Sequence, residues 1–224
     1  MTGWDSVRSA YDAMAPAYHD LLPDLRAEQP VDRAFIAAFG EHVRSSASRS
    51  VLDFGCGTGR LTTTLQGMGL EVTGADLSDG MVEIARSSHP EVDFHVVGPG
   101  RLPFADDAFG GVLAWYSLIY CPPDELAALL GELARVVAPG GYVLTGFQAG
   151  VGSRVRSNAH DQGHERVLHL RTTEEMAAAF ARAGLAVLAS CARARQPDSF
   201  DGEHDQGFVL GRKPERVQRA PDAR

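Results

Sequence analysis

The segment VLDFGCGTGR at residues 51–60 carries an apolar run into Gly55, Gly57 and Gly59 and then directly into helix-forming sequence. Small residues at such a turn let a ligand come close against the backbone. The spacing is G-x-G-x-G, whereas a dinucleotide site needs G-x-G-x-x-G, and Arg60 stands where the third glycine of that fingerprint would be. A pyrophosphate is therefore disfavoured. Twenty-one residues after Gly55, at the end of a second apolar run, VTGAD, comes Asp76. A carboxylate delivered there can accept hydrogen bonds from both hydroxyls of a ribose. Loop and carboxylate together call for a nucleoside without a pyrophosphate. Asp53, at the foot of the loop, either orients loop N–H groups and meets a ligand's ammonium group or serves as a buried strut.

Other reactive residue types carry weaker signals. His160 and His164 have metal-ligand spacing only if they lie on a helix, Gly163 opposes that helix, and no third ligand is evident, so no metal is expected. Cys56, Cys121 and Cys191 form neither C-x-x-C pairs nor a disulfide framework and read as reduced thiols.

The elements that position these groups follow from periodicity. After residue 50, short apolar runs alternate with helix-period stretches, the signature of βα units around a mostly parallel sheet. Strands are expected near 50–54, 71–75, 92–97, 110–115, 141–147, 185–192 and 206–212, with helices near 59–67, 79–88, 123–137 and 172–183. Ser78, Asp124 and Thr172 are the expected caps. The fold class is α/β, a Rossmann-like, doubly wound sheet of seven strands. Residues 1–45 show helical spacing without a strand and read as an N-terminal helical lid; 46–212 form the ligand-binding domain, and 213–224 a polar tail. The Gly-, His- and Arg-rich stretch 149–171 reads as a long functional loop.

Composition narrows the partners. A hydrophobic fraction of 44% is that of a globular chain. A net charge of −8 with only short basic clusters argues against nucleic acid. The N-terminus lacks the apolar core of a signal peptide, and the longest apolar run, 112–119, is too short to cross a bilayer, so the cytoplasm is the expected location and no membrane the expectation. The Arg-over-Lys and Ala-rich usage suggests a GC-rich bacterial genome.

The loop and its carboxylate resemble the first two motifs of the class I S-adenosylmethionine-dependent methyltransferases, in particular the small-molecule branch called methyltransferase type 11. Asp53 to Gly59 resembles the first motif and ADLSDGM at 75–81 the second. LPFADDAFGGVL at 102–113 and LARVVAPGGYVL at 133–144 resemble the approaches to the fourth and fifth strands. The resemblance implies S-adenosylmethionine as cofactor. Asp53, Gly55, Cys56, Gly57 and Gly59 would hold its methionine part, Asp76 its ribose, and Leu77 and Met81 its adenine, with Tyr11 or Tyr18 reaching it from the lid. The family's aspartate after the third strand is replaced by Pro99 and Gly100, so backbone contacts there or Arg101 would serve. The usual Phe-Asp before the fourth strand is Phe109-Gly110.

The family places the groups facing the transferred methyl at the end of the fourth strand, here Trp115, Tyr116, Ser117 and Tyr120, although Trp115 and Tyr120 also suit a core. Alignment and exclusion of water do most of the work in such a displacement. A base is needed only for a poorly acidic hydroxyl or a carbon acid, and Tyr116, Tyr120 and His164 are the catalytic candidates, with His160 and His169 beside them. The implied function is methylation of an O, N or C atom of a small molecule, with an apolar or aromatic acceptor preferred. The alternative is a cofactor-binding protein that regulates or catalyses a non-methylating reaction such as a cyclisation.

Overall fold

In the computed structural model, residues 3–156, 165–196 and 199–216 are described. Five strands run parallel in the sheet: β1 (Ser50–Phe54), β2 (Glu71–Asp76), β3 (Asp93–Val96), β4 (Phe109–Trp115) and β5 (Val137–Ala149). The near-continuous burial of β1 and β4 suits their place in its middle, whereas β3 is an edge strand. Two further short strands, β6 (Ser153–Arg156) and β7 (Arg166–His169), pair with each other apart from the main sheet. The chain returns to the main sheet with β8 (Ala186–Arg193) and β9 (Asp205–Arg212). Seven strands lie in the order β3-β2-β1-β4-β5-β9-β8, parallel except that β9 runs against both its neighbours.

The helices are α1 (Gly3–Leu21), α2 (Pro30–Arg44), α3 (Thr62–Gly67), α4 (Asp79–Ser88), α5 (Leu126–Val136) and α6 (Thr173–Arg182). Ser78 and Thr172 cap α4 and α6 by accepting from Met81 N and Glu175 N. Asp124 is not a cap: α5 begins one residue later than that would need, with Glu125 as its cap residue and no side-chain bond. Residues 149–171 are likewise not one long loop, because Ser153–Arg156 pairs antiparallel with Arg166–His169.

The N-terminal segment is not uniform. Ile36, Phe39 and Val43 of α2 are fully buried against Val51, Leu113, Leu144 and Phe208 of the sheet. Each such side chain contributes about 1.5–3 kcal/mol, so α2 is core, and the expectation of a lid over all of 1–45 is corrected. The other face of the sheet is closed by α5 and α6 through Leu130, Leu133 and Phe180. Gly110 is closely packed: a Cβ there would lie 2.0 Å from the carbonyl oxygen of Ser48.

The strand order reverses direction between β1 and β4. In an open α/β sheet the crevice beyond the carboxyl ends at such a switch point is where ligands bind, and α1 lies across it.

Candidate functional site

The turn after β1 is shaped by left-handed glycines, with φ of +77° at Gly55 and +55° at Gly57. At Gly55 a Cβ would also sit 2.2 Å from Cβ of Ser117, so the loop and the end of β4 touch with no room for a side chain. The loop is tied to β2: Gly55 N and Cys56 N both donate to Ala75 O, at 2.7 and 3.1 Å. Asp76 then joins the two cofactor-type motifs. Its Oδ2 accepts from Gly57 N at 2.8 Å and its Oδ1 from Ser78 N at 2.9 Å. A carboxylate oxygen has lone pairs to spare beyond one bond each, so ribose hydroxyls can add to these bonds. Burial raises the Asp76 carboxyl above its ordinary range, against the lowering effect of the backbone N–H groups of Ser78, Gly57 and Leu77.

Asp53 lies behind the loop and does not line the cleft. It is buried, its Oδ2 has no hydrogen-bond partner among the described residues, and burial pushes its pKa up to about 7, helped by the charge of Asp76 and opposed by Arg60. The position suits neither a satisfied strut nor direct contact with a ligand as the protein stands.

The cleft, counted with its open mouth, holds about 870 Å³ of free space. Gly55, Gly57, Asp76, Leu77 and Met81 line it, as do Tyr11, Tyr18, Trp115, Tyr116, Ser117 and Tyr120. Other expected cofactor contacts do not line it. The Cys56 side chain packs with Val82, Ala85, Val92 and Phe94 away from the cleft, and burial raises its thiol. Gly59 backs onto His89 and Phe94. Gly100 and Arg101 stay outside, with Arg101 exposed near Asp106, whereas Val97, Gly98 and Pro99 reach the cleft. His160 and His164 fall outside the described residues.

The roof of the cleft is α1. Trp4, Val7, Arg8, Tyr11 and Tyr18 line it, and a helix-period stripe through positions 4, 7, 8, 11 and 18 was a legible sequence signal for all of them. Only the tyrosines stand out by residue type. The helix is fastened down by Asp12, whose Oδ1 accepts from Ser78 Oγ at 2.5 Å and Gly80 N at 3.0 Å, and by Arg8 Nε donating to Leu77 O at 3.2 Å. Tyr18 sits over the loop, its ring 3.6 Å from where a Gly57 Cβ would be. Tyr11 meets Tyr18 and Tyr120 edge to face, and the guanidinium of Arg166 lies 5.3 and 5.5 Å from the ring centres of Tyr11 and Tyr120.

Two aromatics at the end of β4 are differently employed. Trp115 is buried, stacked on Phe208, and donates from Nε1 to Glu28 at 3.0 Å, so it is a core residue with one edge on the cleft. Tyr116 has a left-handed backbone, φ 57°, and its phenol donates to Gln206 Oε1 at 2.6 Å. Burial first, and the carboxylates of Asp32, Glu28 and Asp201 after it, raise the phenol far above its ordinary value. The Tyr116 phenol is thus already engaged as a hydrogen-bond donor to Gln206.

A Rossmann-like sheet with a glycine loop, a following acidic residue and a helical roof defines a class of nucleoside-binding α/β proteins. Residues 51–141 match the family described as a methyltransferase domain. The demethylmenaquinone methyltransferase of Chlorobaculum parvum is 33% identical over 141 residues, 61% of this chain and 57% of that protein. The methyltransferase GfsG of Streptomyces halstedii is 35% identical over 108 residues, 45% of this chain and 38% of that one. The match thus spans a little over half the length of the demethylmenaquinone methyltransferases and less than half that of the methyltransferase GfsG. In fold it is similar to the 1,6-didemethyltoxoflavin-N1-methyltransferase of Burkholderia thailandensis, solved with S-adenosylhomocysteine, at TM-score 0.70 and 21% identity over 96% of this chain and 92% of that one. It is also similar to the [4+2]-cyclase SpnF, at TM-score 0.73 and 18% identity over 94% of this chain and 96% of that one.

Proposed function

We propose that the cleft binds S-adenosylmethionine and that the protein transfers its methyl group to a small-molecule acceptor. The observation that carries this reading is the bond from Gly57 N to Asp76, which unites the glycine loop and the ribose-type carboxylate in one wall beneath Tyr18. The residues suit the cofactor. Left-handed Gly57 leaves the backbone open to a methionine moiety, Asp76 has lone pairs left for ribose hydroxyls, and Leu77 and Met81 offer an apolar seat for a base. Two buried carboxyls, Asp53 and Asp76, both raised by burial, favour a ligand that brings positive charge near them.

The chemistry supplied on binding is an electrophilic methyl group on a sulfonium centre. The protein contributes alignment and dryness: α1 roofs the cleft, Tyr18 covers the loop, and Trp115 and Ser117 close its floor. Among the candidate bases Tyr120 remains on the cleft. The unbridged Cys56, Cys121 and Cys191 accord with a cytoplasmic location.

Calorimetry with S-adenosylhomocysteine and with NAD tests the binding half, and binding of the first without the second is expected. Release of S-adenosylhomocysteine on a panel of metabolites tests transfer. Tighter binding of NAD than of S-adenosylhomocysteine would overturn the reading.

A further inference from the structure

Beyond Tyr18 and Tyr116 a second cavity of about 560 Å³ adjoins the cleft, and these two rings line both. We infer that this second cavity seats the acceptor and that it selects an uncharged or cationic molecule carrying hydrogen-bond donors over an anionic one. The inference rests on the proposed methyl transfer.

Geometry places the cavity correctly for such a role. Gln148 of β5 and Gln206 of β9 line it and Asp76 does not, and Tyr18 and Tyr116 stand where it adjoins the cofactor cleft. The left-handed backbone of Tyr116 lets the residue line the cleft while its phenol reaches Gln206 in the second cavity.

Charge sets the selectivity. Glu28 takes both ends of the Arg60 guanidinium, at 2.7 and 3.0 Å. Asp32 and Asp201 both bind Arg193, which spends its five N–H donors on these two carboxylates and on Ala194 O. Three carboxylates thus face two guanidiniums, and Arg193 has no donor left for an incoming anion. The cavity's field favours a neutral or positive guest.

One polar side chain there is unclaimed. Gln148 is 8% exposed, lines the cavity, and its Oε1 has no partner among the described residues. Its cross-strand neighbour Gln206 is fully engaged, accepting from Tyr116 and donating to Asp201 O and His204 O. A buried amide carbonyl without a donor is an unmet demand, and a guest O–H or N–H meets it. In the transfer itself the guest's oxygen or nitrogen lone pair forms the bond to the methyl carbon. The carbon–sulfur bonding pair returns to sulfur, leaving a neutral thioether, and the guest's proton passes to water.

The test uses three phenols of closely similar size, 4-propylphenol, tyramine and 4-hydroxyphenylacetate, titrated by NMR into the full chain saturated with S-adenosylhomocysteine at pH 7. The neutral and cationic phenols should bind about tenfold or more tightly than the anion. In Gln148→Leu, and in Gln148→Met as a closer match in shape, their binding should fall about fivefold or more while affinity for S-adenosylhomocysteine holds. Equal or tighter binding of the anion to the unaltered protein would overturn the inference without any variant. So would indifference to both substitutions, or failure of all three phenols to bind a protein that does bind S-adenosylhomocysteine. Failure to bind S-adenosylhomocysteine at all would instead remove the proposed function and this inference with it.

Discussion

Asp76 works through two backbone N–H groups before any ligand arrives, and its loss should be felt twice. Asp76→Ala frees Gly57 N and Ser78 N and removes the acceptor for ribose hydroxyls. Affinity for S-adenosylhomocysteine should fall by about 1.5–3 kcal/mol in a protein that still folds. An unchanged dissociation constant by calorimetry would take Asp76 out of the site. Asp53 makes a different prediction, through pH. Its carboxyl titrates near 7 when folded against an ordinary 3.8, so the folded state holds the proton more tightly than the unfolded chain. Stability contributed by this group is therefore fullest below about pH 4, falls as pH rises towards 7, and is level above that. Asp53→Asn should be more stable than the natural chain at pH 8 by up to a few kcal/mol, at about 1.4 kcal/mol per unit, with the gap closing towards pH 4. Equal gaps in melting temperature at pH 5 and pH 8 would contradict this.

At the scale of elements, α1 and α2 are consecutive helices with opposite duties. The buried stripe of α2 belongs to the sheet's core, whereas α1 turns Tyr11 and Tyr18 onto the cleft and is held by Asp12 at the N-terminus of α4. A protein lacking residues 1–24 should keep its far-UV circular dichroism apart from the missing helix, since α2 and the sheet remain, but lose more turnover than cofactor affinity. Tyr18→Ala should reproduce much of that loss and Tyr18→Phe less of it, because the ring covers the loop by packing. Full turnover in the truncated protein would show that α1 is no lid.

Across the whole molecule, the last two strands are joined to the N-terminal helices by charge as well as by apolar burial. Arg193 at the end of β8 binds Asp32 of α2 and Asp201 before β9, and all three side chains are largely shielded from water. Removing the guanidinium leaves two carboxylates uncompensated in a poorly solvated place. Arg193→Met should cost about 3 kcal/mol in urea unfolding. A loss under about 0.5 kcal/mol would mean that solvent screens the cluster as it would a surface pair.

The alternation of apolar runs with helix-period stretches was enough to determine the α/β class and six of the seven main strands to within a residue or two. Strand burial and helix amphipathicity are local patterns that the chain writes directly. β5 begins four residues earlier than expected, at Val137, because pairing with Phe109 carries the strand through Pro139 and its glycines. The loop, Asp76, Leu77 and Met81 were legible for the same local reason: one turn and one strand end lie within a single βα unit and its neighbour. That positions 56 and 59 turn away from the cleft was not legible, because the face a loop residue presents depends on what packs behind it, here Phe94 for both and His89 for Gly59. Only tertiary structure could divide α1 from α2, since both are amphipathic helices and differ in what their apolar stripes meet. Tertiary structure alone also assembled the second cavity, whose polar lining includes Asp32 of α2, Gln148 of β5 and Asp201 between β8 and β9, the first more than a hundred residues from the other two. Such pairings carry no sequence period, because they arise where strands close a sheet rather than where one strand or helix repeats.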